Sequence, residues 1–329
     1  MEFNGLDLLV SFAGGIFGAA IGAFPVWILC GLAVLIGATV TATTGNTDFM
    51  NLVAWGNFLG PQTSFAGGVA AAAYAARLKL LDSGRDISTS LLGLEQPKVL
   101  FVGGVFGSIG YLITLVLMQV PNYCEYPWTN VIALAVILNM VITRFVFGRT
   151  GLFGRKPSGG GCCWIPTQDA AWVNYQSTPM QLVMLSIAVG VPASALAVAI
   201  PGSSGIVFGF VTFLLIFMLM GFKVPVTHHI ALSSSMVTSV TGCVEWGILF
   251  GFMAAYLGEV CACMFLYRGD THIDPPTMAL VLTFTIFPLF DLMGLFALPA
   301  VASYAVILAI ILLGYLALSR CKRIKICSK

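Results

Sequence analysis

The chain has 329 residues, of which 59% are hydrophobic and 9% charged, with a formal net charge of +2. A soluble domain carries about 25% charged residues. A surface this poor in charge would aggregate in water, so a soluble fold is excluded and a membrane class remains.

Residues 1–7 lack the basic start of a signal peptide, and the first apolar stretch is too long and too glycine-rich for one. It is read as a first span. A bilayer core of about 30 Å needs about 20 apolar residues per helix. Eleven segments approach that length: 6–24, 26–44, 52–76, 99–120, 131–147, 180–200, 205–221, 224–242, 246–266, 278–296 and 300–318. The two weakest are 52–76 and 224–242, which are interrupted at Gly60–Pro61 and Pro225.

Lysine and arginine set orientation. With eleven spans, the N-terminus outside and the C-terminus in the cytoplasm, the Lys and Arg residues flanking the loops and filling the tail all fall on the cytoplasmic side. The opposite loops carry none. The expected location is the cell (inner) membrane.

The chain also repeats. Phe58, Pro61 and Thr63 match Phe222, Pro225 and Thr227 at identical spacing. Pro25 aligns with Pro201, Leu100–Phe101 and Gly110 with Leu249–Phe250 and Gly258, and Ala133–Leu134 and Gly148 with Ala279–Leu280 and Gly294. Five segments per copy is an odd number, so the second copy enters from the opposite face. The organisation expected is a first repeat at 1–148, a cytoplasmic linker at 149–179, a second repeat at 180–296, and a terminal helix with a basic tail at 297–329. Inverted repeats of this kind place substrate near the midplane. Chance alignment of apolar helices is the plainer reading. The linker holds a glycine-rich run and then Trp164 and Trp172, which suit a membrane interface.

The nine cysteines are Cys30, Cys124, Cys162, Cys163, Cys243, Cys261, Cys263, Cys321 and Cys327. Most lie in apolar segments, and no paired zinc spacing occurs, so no metal site is expected. Gly14, Gly18 and Gly22, then Gly103 and Gly107, form small helix faces suited to close packing.

The main site expectation rests on the two matched prolines. A proline at a helix start leaves first-turn N–H groups unpaired, and these favour an anion. Pro61 is followed by Gln62, Thr63 and Ser64, and Pro225 by Thr227, His228 and His229; Ser233 and Ser234 add hydroxyls one turn later. These ten residues are the candidate solute contacts. Their plainer roles are ordinary helix caps and hydroxyls bonded back to their own helix. Adjacent histidines diverge by about 100°, so only one of His228 and His229 faces a given pathway. Ionisable residues inside a bilayer are costly and usually functional. Glu259 and Asp291, with Asn139 in the matching helix of the first half, are the candidate ion-coupling residues. Arg144 is near a helix end and is expected to snorkel outward.

No HExxH, GxSxG or Walker A pattern occurs, so an enzyme is not expected. The phrases FAGGVAAAAYAA at 65–76 and FGRTGLFG at 147–154 resemble an uncharacterised prokaryotic family of permease-like membrane proteins, a domain of unknown function. That resemblance spans most of the chain and implies no substrate and no site residues. The Gly60–Pro61 break is similar in style to the large membrane subunit of tripartite tricarboxylate transporters, a family that uses such breaks and inverted repeats.

The expectation is an all-α membrane permease with about eleven transmembrane helices. It would be an ion-coupled secondary transporter of a small, anionic solute working by alternating access. The alternatives are a passive channel and a membrane subunit of a larger assembly. Expected partners are the solute, the bilayer and further copies of the chain, with no nucleic acid. No cofactor is expected beyond Na⁺ or H⁺ as the coupling ion.

Overall fold

The computed structural model describes residues 3–122, 128–155 and 171–323. Trp164, Cys124, Cys162, Cys163, Cys327 and the glycine-rich run of the linker lie outside the described residues, as does the end of the basic tail.

Among the described residues the regular structure is all helical, with no strand beyond one isolated bridge between Gly84 and Thr271. In order the helices are α1 (Gly5–Ile21), α2 (Ala23–Thr44), α3 (Ser64–Arg77), α4 (Pro97–Leu117) and α5 (Val131–Phe147). Then follow α6 (Pro179–Ala199), α7 (Ser204–Leu219), α8 (His228–Thr241), α9 (Val244–Leu266), α10 (Pro275–Leu292) and α11 (Ala300–Arg323). Six of them, α2, α4, α6, α9, α10 and α11, are long and apolar enough to cross a membrane. Helices α1, α5 and α7 are apolar but shorter.

Local chemistry explains most boundaries. Asn4 caps α1, accepting the Leu6 N–H, and Asn130 caps α5, accepting the Ala133 N–H. Thr178 and Gln181 form a capping box at the head of α6. Gly22, at φ +98, turns the chain sharply from α1 into α2. It therefore serves the turn and does not extend the small packing face expected of it. In α6 a π-helical stretch, Ser186–Gly190, precedes Pro192 and absorbs the hydrogen bond that proline cannot make.

Helices α3 and α8 differ from the rest. Each has 14 residues, or about 21 Å at 1.5 Å per residue, which is short of a ~30 Å bilayer core. Each also sits at the centre of its half. Helix α3 packs against α1, α2, α4 and α5, and α8 packs against α6, α7, α9 and α10. The halves join where α2 lies along α7 and α5 lies along α10. Glycines make the first half tight: Gly15 meets Gly103 and Gly107, and Gly67 meets both Gly15 and Gly103, backbone against backbone. Helix α11 touches α6 and α9 and leaves Val301, Leu308 and Leu313 exposed.

Arg144 does not snorkel. It is 1% exposed and donates to the carbonyls of Leu152 (3.0 Å), Phe265 (2.9 Å) and Thr271 (2.6 Å) and to the Thr271 hydroxyl (2.6 Å). A guanidinium satisfied by fixed carbonyls has no need of water.

Candidate functional site

The start of α3 closes on itself. Residues 55–63 run as turns, and the helix begins at Ser64, so Pro61 lies three positions ahead of it rather than at its first residue. The Gly60 carbonyl accepts the N–H groups of Thr63 and Ser64, both at 3.0 Å, and the Thr63 hydroxyl at 2.9 Å. The Ser64 hydroxyl donates to the Leu59 carbonyl at 2.8 Å, and the Gln62 amide donates to the Trp55 carbonyl at 3.0 Å. The hydroxyls expected to meet a solute are thus used by the chain's own carbonyls. Of these side chains, the atom left over is Gln62 Oε1. Three glycines hold the turn in place. Gly14 abuts the Phe58 carbonyl, Gly18 the Ser64 carbonyl and Gly110 the Gln62 carbonyl, each too close for a Cβ.

The start of α8 is open. Residues 222–227 run without helix, steadied by Gln176, which accepts the Val226 N–H at 2.8 Å and donates to its carbonyl at 3.2 Å. Thr227 occupies the cap position but makes no side-chain cap. The N–H groups of His228, His229 and Ile230 meet no acceptor among the described residues. Thr227 Oγ1, His228 Nδ1 and His229 Nδ1 are buried without partners among the described residues, and the three residues are at most 4% exposed. Buried helix ends normally find partners for their first N–H groups. This one presents a partial positive charge and a hydroxyl to whatever enters. The two imidazoles diverge, as neighbours on a helix must. His228 packs on Trp27 (5.3 Å) and Phe208 (6.1 Å), and His229 on Trp172 (5.7 Å). Trp172, expected at an interface, is thus part of the site's wall. Pro225 and Thr227 line a separate apolar cavity of about 400 Å³ between α6 and α7.

The two helix starts do not face each other directly. Trp27 of α2 stands between them, its ring 5.9 Å from Phe65 in the first turn of α3 and 5.3 Å from His228. Two cavities of about 160 Å³ each meet at this indole. One is lined by Trp55, Pro61, Asn130 and Thr277, among others. The other holds Phe65, Trp172, His228, His272 and Asp274.

His272 and Asp274 are the residues that sequence reasoning missed. His272 reads as a loop residue, yet it is buried, packs edge-on to Phe65 at 6.2 Å, and lies 3.2 Å from Asp274 Oδ1. Asp274 also caps α10, accepting the Thr277 N–H at 2.9 Å and its hydroxyl at 2.5 Å. The signal was present: Asp274-Pro275-Pro276 is a helix-start pattern.

The remaining candidates are dispersed. Asn139 is buried beside the α3 turn. Its amide donates to the Phe106 carbonyl at 2.8 Å and its Oδ1 has no hydrogen-bond partner among the described residues. Glu259 is buried in α9, next to Gly258, which lies against the His229 ring. Asp291 is at the far end of α10, half-buried, and joins neither helix start. Ser233 is paired with Thr283 at 3.0 Å, whereas Ser234 Oγ is buried without a partner, facing Gly190 and Gly251.

No curated protein and no solved structure matches the chain. One family model matches residues 2–160 and 167–305, nearly the whole length. The chain belongs to that family, a family of unknown function (DUF7973).

Proposed function

We propose that this protein is a secondary transporter of a small anionic solute, held at the N-terminus of α8. The observation that carries this reading is the uncapped, buried start of that helix, with Thr227, His228 and His229 each holding an unpartnered polar atom. Such atoms are costly to bury and are normally satisfied by something. The Trp27 indole between two cavities suits a barrier that a rocking motion opens first to one side and then to the other.

An inverted-repeat architecture supports the same mechanism. The five helices of each half have matching neighbours, and equivalent helices pair across the halves, α2 with α7 and α5 with α10. The family match breaks at 161–166, inside the linker between them. In this reading α3 and α8, with the non-helical stretches before them, complete eleven crossings, and both short helices begin near the midplane. The N-terminus is outside and the basic loops are cytoplasmic. Glu259, beside the wall of the site, is a better coupling residue than Asp291.

The test is uptake of labelled carboxylates and inorganic anions into proteoliposomes, with and without Na⁺ and pH gradients. Saturable, gradient-dependent uptake that falls at least tenfold in Thr227→Val and His228→Phe, but not in Thr63→Val, is expected. A tenfold loss corresponds to about 1.4 kcal/mol of binding. Flux that ignores every gradient would replace the transporter with a channel. Absence of any flux or solute binding would defeat both.

A further inference from the structure

A second cavity system lies at the opposite extreme of polarity. A cleft of about 500 Å³ opens where three connections meet, those following α3, α5 and α9. Arg77, Lys79, Arg85, Arg149, Arg155 and Arg268 line it, against two carboxylates, Asp82 and Asp270. Asp270 is already engaged, accepting the Arg149 N–H at 2.6 Å and the Thr150 hydroxyl at 2.7 Å. The one ion pair among the described residues joins His272 to Asp274, so none of the six cations is paired with a carboxylate there.

Cations gather in the loops on one face of membrane proteins as a rule. That rule does not require them to converge. Here six cations line one concavity, where a low-dielectric wall concentrates their field; Arg77 and Arg85 are fixed there by donating Nη1 to the Val146 and Tyr267 carbonyls, each at 2.9 Å. One local feature points the same way: Arg268 Nη1 is buried without a partner among the described residues. Lys79, at φ +62, is the left-handed residue of the cap that ends α3, with its own N–H on the Ala76 carbonyl and the N–H of Leu80 on the Ala75 carbonyl, both at 2.9 Å. Beneath them the Arg144 guanidinium ties the 151–152 and 265–271 stretches together, with Gly269 stacked against it, which gives the cleft a fixed floor.

We infer that this cleft binds a multivalent phosphate-bearing anion. The planar guanidinium fork matches phosphate oxygens in pairs. The volume falls in the range of about 300–1,000 Å³ common to small-molecule sites. A monovalent ion cannot bridge three loops, but a diphosphate group or a phosphomonoester can. Two sources carry that chemistry, a soluble polyphosphate and an anionic lipid headgroup. The site is separate from the α8 start, and its occupation would brace three connections at one end of the bundle.

The test follows thermal unfolding of the full-length protein. One arm adds pyrophosphate in detergent. The other compares nanodiscs of phosphatidylcholine with and without phosphatidic acid. A dose-dependent rise in Tm that fades at high salt is expected in at least one arm. The double variant Arg149→Gln with Arg155→Gln should lose most of that rise. Both residues are exposed and neither side chain bonds a described residue, so folding should survive. Arg320→Gln, on the exposed surface of α11, should keep the rise. A response to pyrophosphate alone assigns a soluble ligand, and a response to phosphatidic acid alone assigns a headgroup. No response in either arm, or an undiminished response in the double variant, would overturn the inference.

Discussion

The starts of α3 and α8 carry the same sequence spacing and yet solve opposite problems. Before α3, the chain turns back so that Gly60 takes up the first N–H groups, and the hydroxyls of Thr63 and Ser64 are used in the same turn. Before α8, the chain runs without helix, and the first N–H groups, a hydroxyl and two ring nitrogens are left over among the described residues. Their surroundings differ in kind as well. Glycines of α1 and α4 make room for main-chain carbonyls around the α3 turn. Glycines of α9 make room for side chains of α8: Gly247 for Thr238, Gly251 for Ser234 and Gly258 for His229. The lesson is that identical residue spacing does not impose identical hydrogen bonding. One copy is closed by its own carbonyls, and the other leaves polar atoms unpartnered among the described residues.

That contrast can be broken by substitution. The largest effect is expected from Gly110→Val, because its side chain meets the backbone of the α3 turn, which cannot step aside. Overpacking there should cost about 3 kcal/mol or more, seen as a large drop in Tm or loss of monodisperse protein. Gly251→Ala should cost clearly less, since the obstacle is the Ser234 hydroxyl, which can rotate. Equal losses at both positions would erase the difference between anchor and ligand wall.

Next in size is Asp274→Ala, which removes the α10 cap and the partner of His272. A loss of about 1–2 kcal/mol is expected, read as a lower urea midpoint or Tm. Ser64→Ala should cost about 1 kcal/mol by removing one hydrogen bond, while leaving solute-induced stabilisation intact. The smallest stability effect belongs to Thr227→Val. Its hydroxyl has no partner to lose, so the Tm without solute should stay within about 0.5 kcal/mol of wild type or rise. Stabilisation by a bound anion should nevertheless disappear. If Ser64→Ala abolishes binding and Thr227→Val does not, the roles of the two helices are reversed.

Much of this molecule is legible in its sequence, but unevenly. Helical content follows from long apolar runs; the polar cap signals at Asn4, Asn130, Thr178 and Asp274 also stand in the sequence, although none was singled out from it. The prolines at 61 and 225 rightly mark two interrupted segments, although the helices begin later, at Ser64 and His228. Glycine recurrence indicates close packing, and Gly15, Gly103 and Gly107 do meet. What was not legible is which hydroxyls are spent. Thr63 and Thr227 look alike in the sequence because their difference lies in the path of the preceding chain. Trp27 could not be singled out, since an indole in an apolar helix is unremarkable until two cavities are found on either side of it.

The sequence by itself determined the all-helical character and the apolar composition that suggests a membrane protein, because avoiding water and satisfying the backbone are local requirements. Tertiary structure alone decided that His272 joins His228 in one cavity, that Arg144 is held by three carbonyls, and that α8 is left uncapped. Each of these depends on partners far apart in the chain, and hydrogen-bond satisfaction is settled by which groups the fold brings together.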